Sequence, residues 1–176
     1  TVKADVTGST GNIGMEIESA SSVVTTAGAV SGSFPLAGNL MSMTSADDLA
    51  EVTLGSATYA GGTINAGTMN ATLLSLPFQV SNKAVDLKYI SFKQVGSIPV
   101  DAIQNLTLYV NGVKVGNSVA LSADNRVTFD LSSAPVRLAT GSTTVELRGD
   151  IVKGSDRTFS FSLQTASDAV LTDINY

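Results

Sequence analysis

Residues 105–116 read Asn-Leu-Thr-Leu-Tyr-Val-Asn-Gly-Val-Lys-Val-Gly, and they decide the fold class. Leu106, Leu108 and Val110 alternate with Asn105, Thr107 and Tyr109, which places three aliphatic side chains on one face of an extended strand. Asn111-Gly112 follows at once, and Val113-Lys114-Val115 resumes the alternation. An Asn-Gly pair between alternating segments signals a type I′ hairpin, because both central residues of that turn need positive φ. The same period of two recurs outward in both directions. Val127, Phe129 and Leu131 alternate with polar neighbours, as do Val145 and Leu147, then Phe159, Phe161 and Leu163. Weaker strands are expected near 1–6, 13–18, 52–58, 70–80, 84–92 and 168–172. Helical periodicity is nearly absent; only residues 45–51 suit a helical turn, with Ser45 as N-cap. Short strands separated by Gly, Asn and Ser predict an all-β chain, an antiparallel Greek-key β-sandwich.

Composition narrows the chemistry. The 176 residues include no His, no Cys and no Trp, and only 14% are charged although 43% are hydrophobic. Without imidazole or thiol there is no Ser-His-Asp or Cys-His catalytic set, and no zinc site built on nitrogen or sulfur. Residues 1–69 carry the whole net charge of −5, and no Lys or Arg occurs from Ala4 to Asn82. Such an acidic half repels phosphate, so nucleic acid and anionic membrane are poor partners. Apolar runs last only a few residues, so no membrane insertion is expected. No initiator Met or signal peptide opens the sequence. Thr1-Val2-Lys3 reads as mid-strand, which predicts excision or processing from a longer precursor.

One motif invites a reading that the surrounding residues oppose. Val6-Thr-Gly-Ser-Thr-Gly-Asn-Ile-Gly14 has the glycine spacing of a short-chain dehydrogenase fingerprint, and Tyr89 and Lys93 have that family's Tyr-x-x-x-Lys spacing. The glycines serve a dinucleotide only between a buried strand and a helix whose N-terminus holds the pyrophosphate. The following residues, Met15 to Thr26, are rich in Ser and β-branched side chains and poor in helix formers. In a strand, positions i and i+4 stand ~13 Å apart, too far for Tyr89 and Lys93 to share a substrate. The glycines are read as a hairpin turn between strands 1–7 and 13–18.

Other constellations are less specific. Asp47, Asp48 and Glu51 cluster without a nearby cation, and Glu16 and Glu18 share a strand face. Such hard oxygen ligands would suit a structural calcium ion, and a solvated acidic turn is the simpler reading. No catalytic or cofactor-binding residue is singled out. A sugar-binding module would need exposed aromatic platforms, and Tyr59, Tyr89, Tyr109 and Tyr176 are the only candidates. Asn70-Ala-Thr72 and Asn105-Leu-Thr107 are formal glycosylation sequons. No lysine is distinguished as half of an isopeptide crosslink.

An internal similarity organises the chain. Val2-Lys3-Ala4-Asp5-Val6 matches Leu147-Arg148-Gly149-Asp150-Ile151, and Ser19-Ala-Ser-Ser-Val-Val24 matches Thr165-Ala-Ser-Asp-Ala-Val170. One inserted residue reconciles the two offsets. A long-period repeat implies similar modules in tandem. Residues 1–48 are therefore read as a β segment like the closing strands of a preceding repeat, and 49–176 as a fuller sandwich module. Residues 1–18 are expected to pair with a separate module or chain, since exposed strand edges invite β-strand addition.

Residues 66–80, Val85 to Lys93, Leu106 to Gly116, Val127 to Phe129 and Thr143 to Ile151 resemble the strands of Ig-like repeat modules in large bacterial cell-surface proteins. That resemblance implies an extracellular location and a structural, non-enzymatic module in an S-layer, adhesin stalk or filament. It also implies neighbouring copies of the same protein as partners. The alternative it leaves open is an adhesin module that binds carbohydrate or protein.

Overall fold

The computed structural model describes residues 11–43, 49–58 and 61–174. The chain divides into two compact units, Thr1–Leu49 and Ala50–Tyr176.

In the first unit, β1 (Gly11–Ile13), β2 (Glu16–Ile17), β3 (Leu36–Ala37) and β4 (Met41–Met43) form two small antiparallel ribbons, β1 with β4 and β2 with β3. The Gly38 N–H donates to the Met15 carbonyl at 2.9 Å between them. A single 3₁₀ turn, Ala20–Ser22, follows β2. The expected strand at 1–6, the proposed hairpin partner 1–7 and the glycines before Gly11 lie outside the described residues. The described part of residues 1–18 differs from expectation. Its strands find partners at 36–43 of their own unit, β1 with β4 and β2 with β3.

The second unit is an antiparallel β-sandwich. One sheet runs β5 (Glu51–Leu54), β6 (Ala71–Ser81), β12 (Gly141–Ile151), β8 (Ile103–Val110), β9 (Val113–Val119) in spatial order. The other is organised on β7 (Val85–Gly96), flanked by β10 (Arg126–Asp130), β11 (Val136–Leu138), β13 (Phe159–Ser162) and β14 (Ala169–Asp173). Tyr89 faces Asp130 of β10 and Val170 of β14, and Leu87 faces Val136 of β11 and Leu171 of β14. Hence β10 and β11 share one edge of β7, while β13 and β14 share the other. β12 returns between β6 and β8, which makes the path a Greek key. The proposed turn at 45–51 lies mostly outside the described residues, and its last residue, Glu51, opens strand β5 instead.

Inward side chains of the two sheets meet in one core containing Phe78, Phe92, Phe161, Leu74, Leu108 and Leu147, all fully buried. Each such side chain contributes about 1.5–3 kcal/mol by leaving water. Asn111 and Gly112 have φ 48° and 76°, the turn conformation the sequence predicts between β8 and β9. Three strands change phase to keep apolar residues inward on both sides of an irregularity. β7 buries Val85 and Leu87, then Ile90 and Phe92, with Lys88 as the extra residue against β14. β6 shifts at Leu73, opposite the step from Leu147 to Arg148 of β12, and β8 shifts at Asn105, opposite the step from Arg148 to Asp150. A Cβ at Gly149 would lie 3.0 Å from Leu106 Cδ2 and 3.1 Å from Leu73 Cδ1, so the close approach of these two side chains favours glycine there.

The sandwich closes on itself where it begins. The Ala50 N–H donates to Asp173 Oδ2 at 2.9 Å, joining the residue before β5 to the last residue of β14.

Gly96 ends β7 with φ 137°, and a Cβ there would overlap the Thr158 carbonyl oxygen and the backbone of Phe159. Gly96→Ala combines a disfavoured backbone conformation with overpacking against backbone. It is expected to lower the unfolding free energy by about 2–5 kcal/mol, read from the midpoint of urea unfolding.

Candidate functional site

The richest cluster of polar side chains lies on β8, β12 and the start of β6. It is built by Asp150, which is 7% exposed. Its Oδ1 accepts the Asn70 backbone N–H at 2.7 Å and its Oδ2 accepts the Asn105 side-chain amide at 2.7 Å. Asn70 and Asn105 both adopt left-handed backbone, φ 50° and 51°, which asparagine tolerates better than other non-glycine residues. From this node the network extends both ways. The Tyr109 hydroxyl donates to Asn70 Oδ1 at 3.3 Å, and the Arg148 guanidinium sits 4.3 Å over the Tyr109 ring centroid. Arg148 also donates to Glu146 Oε2 at 2.6 and 3.2 Å. On the far side, Thr107 Oγ1 donates to the Asn105 carbonyl at 2.9 Å and lies 2.9 Å from Ser118 Oγ.

The electrostatics follow from these partners. The Asn105 amide, then the Asn70 N–H, hold the Asp150 carboxyl below the usual carboxylate range, while burial opposes them. Asp150 is thus a fixed acceptor stapling two bends of backbone. A group so held, with no base or nucleophile hydrogen-bonded to it, does not match the pattern of a general acid, whose pKa is raised.

A second buried carboxylate anchors the other sheet. Asp168 closes the 3₁₀ turn Ala166–Asp168, accepting the Gln164 and Thr165 N–H groups at 2.8 and 2.9 Å on Oδ2. Its Oδ1 receives Arg126 Nη1 at 2.8 Å, and Arg126 also reaches Ser91. Burial pushes this carboxyl up, but the Thr165 and Gln164 N–H groups and Arg126 together outweigh it and leave the group lowered.

A third feature is an open groove of about 800 Å³ between residues 61–66 and 153–160. Ile64, Ile98 and Phe159 give it an apolar floor, and Thr63, Lys153 and Arg157 are among its polar walls.

The structure brings together few of the residues singled out from sequence. Tyr89 and Lys93 both lie on β7, four residues apart in extended chain, and Lys93 donates to the Asp124 carbonyl. Tyr109 joins the Asp150 cluster. Tyr59, Tyr176, Asp47 and Asp48 lie outside the described residues. Glu16 and Glu51 lie on exposed strands. Among the described residues no group of three acidic side chains converges as a metal site. The two sequon asparagines, Asn70 and Asn105, are distant in sequence yet converge on Asp150. The only sequence sign of that convergence was Asp150 itself, in the Arg-Gly-Asp stretch that resembles Lys3-Ala4-Asp5.

Comparison with family models, curated proteins and solved structures finds no match for this chain.

The two lowered carboxylates make a pH prediction. A depressed folded-state pKa adds stability that is complete above the ordinary value, about 3.9, and is lost as pH falls through the folded value. Asp150→Asn places an N–H against one of two donors. It should cost about 1–3 kcal/mol at neutral pH. It should also flatten the acid limb of the stability profile below about pH 4, followed by circular dichroism.

Proposed function

We propose that this chain is a non-enzymatic structural module of an extracellular bacterial surface protein, an Ig-like sandwich that assembles with neighbouring modules in a layer, stalk or filament. One observation carries the reading. The first unit presents Met15, Leu36, Leu40 and Met41 at 53–73% exposure, on or next to its two-stranded ribbons. Two-stranded ribbons are marginal alone in water, and exposed apolar side chains gathered on one small unit suit burial against another surface. The polar side chains support the same reading from the other direction. Asp150 and Asp168 are occupied in holding backbone, and the sheet face carrying Tyr109, Arg148 and Glu146 pairs its own charges.

The groove beside residues 153–160 favours a second reading, a binding module for carbohydrate or protein. Its floor of Phe159, Ile98 and Ile64 under Arg157 and Lys153 offers apolar contact with polar rims, the usual division of labour in a ligand site.

Sedimentation separates the two. The structural reading expects self-association that Leu40→Asp combined with Met41→Ser weakens about tenfold or more, from the apolar burial removed. A chain that stays monomeric at every concentration reached overturns it. The binding reading expects signal on a glycan or peptide array that Arg157→Ala abolishes and the Leu40/Met41 changes leave intact.

A further inference from the structure

The internal similarity extends further than its two matching blocks. At a constant offset of 146, residues 8–24 align without a gap to 154–170, with identities at Gly8, Ser9, Ala20, Ser21 and Val24. Ile13, Met15 and Ile17 then fall on Phe159, Phe161 and Leu163, preserving the alternation of β13.

The local structures agree. Ala20–Ser22 and Ala166–Asp168 are both single 3₁₀ turns. The residue before each is extended, Ser19 at φ −153°, ψ 167° and Thr165 at φ −140°, ψ 161°. The residue after each is extended too, Val23 at −108°, 109° and Ala169 at −130°, 120°. In each turn that following N–H bonds the carbonyl of the alanine three residues back. The two segments fold alike in different units.

What differs is the company they keep. Ala169–Asp173 pairs along β7, with Ala169 opposite Ile90 and Val170 opposite Tyr89, and Asp168 is buried under Arg126. Its counterpart Val23–Thr25 runs with no strand beside it among the described residues, and Val24 is 99% exposed. Ser22 stands where the other copy has Asp168.

We infer that Ser19–Thr26 is a second copy of the strand-closing segment of the sandwich, and that its partner is the β7 edge of another copy of this chain, entered in the register of β14. This deepens the structural reading above, on which it rests, by naming the segment and its acceptor. The exchange replaces a strand with a like one, so it costs little backbone hydrogen bonding and is driven by mass action and by covering Val23 and Val24. Its specificity against self-closure lies in Asp168 and in Leu171, which packs against the core where the incoming segment would bring Thr25. The resident segment keeps the Arg126–Asp168 ion pair, and the incoming one brings Ser22 instead. Exchange is therefore disfavoured between dilute chains and promoted where copies are crowded side by side.

The chain contains no cysteine, which makes the test direct. Full chains carrying Val24→Cys are mixed with full chains carrying Tyr89→Cys and oxidised, and the 24–89 disulfide is quantified by peptide mass. Only contact between two chains can form it. The expected result is a 24–89 product exceeding that with Val113→Cys, an exposed position on β9 of the other sheet. Adding Asp168→Ser to the acceptor should raise it severalfold, because both segments then carry serine at that place. Should that acceptor fail to fold, Arg126→Gln cuts the same ion pair from the other side. No 24–89 product above the Val113→Cys control, or a yield indifferent to both changes, overturns the inference. If the chain still self-associates through Leu40 and Met41 while no such product forms, the docking falls and the structural reading stands.

Discussion

Every strand of the second sheet depends on hydrogen bonds to one strand. β10 and β11 line one edge of β7 and β13 and β14 the other, so this sheet is three ribbons wide with β7 in the middle. A strand that must serve four partners cannot keep one unbroken pleat. β7 resolves this at Lys88, where an extra residue lets Val85 and Leu87 point into the core on one side of it and Ile90 and Phe92 on the other. The first sheet solves the same problem along residues 147–150 of β12, which face irregularities in both β6 and β8. The two sheets meet where their apolar residues have been brought back into phase, and the single core follows from that.

These phase changes explain what could be read from the chain. The alternation at 106–110, 127–131 and 159–163, with the Asn-Gly turn, was sufficient for an all-β antiparallel sandwich. The stretch 84–92 read as a weaker strand because the alternation breaks at Lys88 and Tyr89, although it is the middle strand of its sheet. Extra residues of this kind are set by the partner strand, which a one-dimensional pattern does not contain. The polar cluster was hidden for a similar reason. Asn70, Asn105, Tyr109 and Asp150 come from β8, β12 and the bend before β6, and nothing in their spacing announces that two asparagines with left-handed backbone converge on one carboxylate. The pairing of residues 11–17 with 36–43 was equally out of reach, since Gly and Ser on both sides offer little pattern to match.

Polar groups in this protein serve mainly to fix backbone. Asp150 pins the irregularities at Asn70 and Asn105, Asp168 pins a 3₁₀ turn, and Asn111 binds Thr144 through both its backbone N–H and its side-chain oxygen at 2.8 and 2.9 Å. With only 14% of residues charged, the polar groups that remain are spent largely on the fold itself.

The bond between Ala50 and Asp173 has a mechanical meaning. It brings the point where the chain enters the sandwich to within one hydrogen bond of the point where β14 ends. Force applied across these two residues would load that contact together with the pairing of β5 on β6 and of β14 on β7. Two ends of a sandwich held this close are what lets such a lobe accept circular permutation, or insertion into another chain, with little strain.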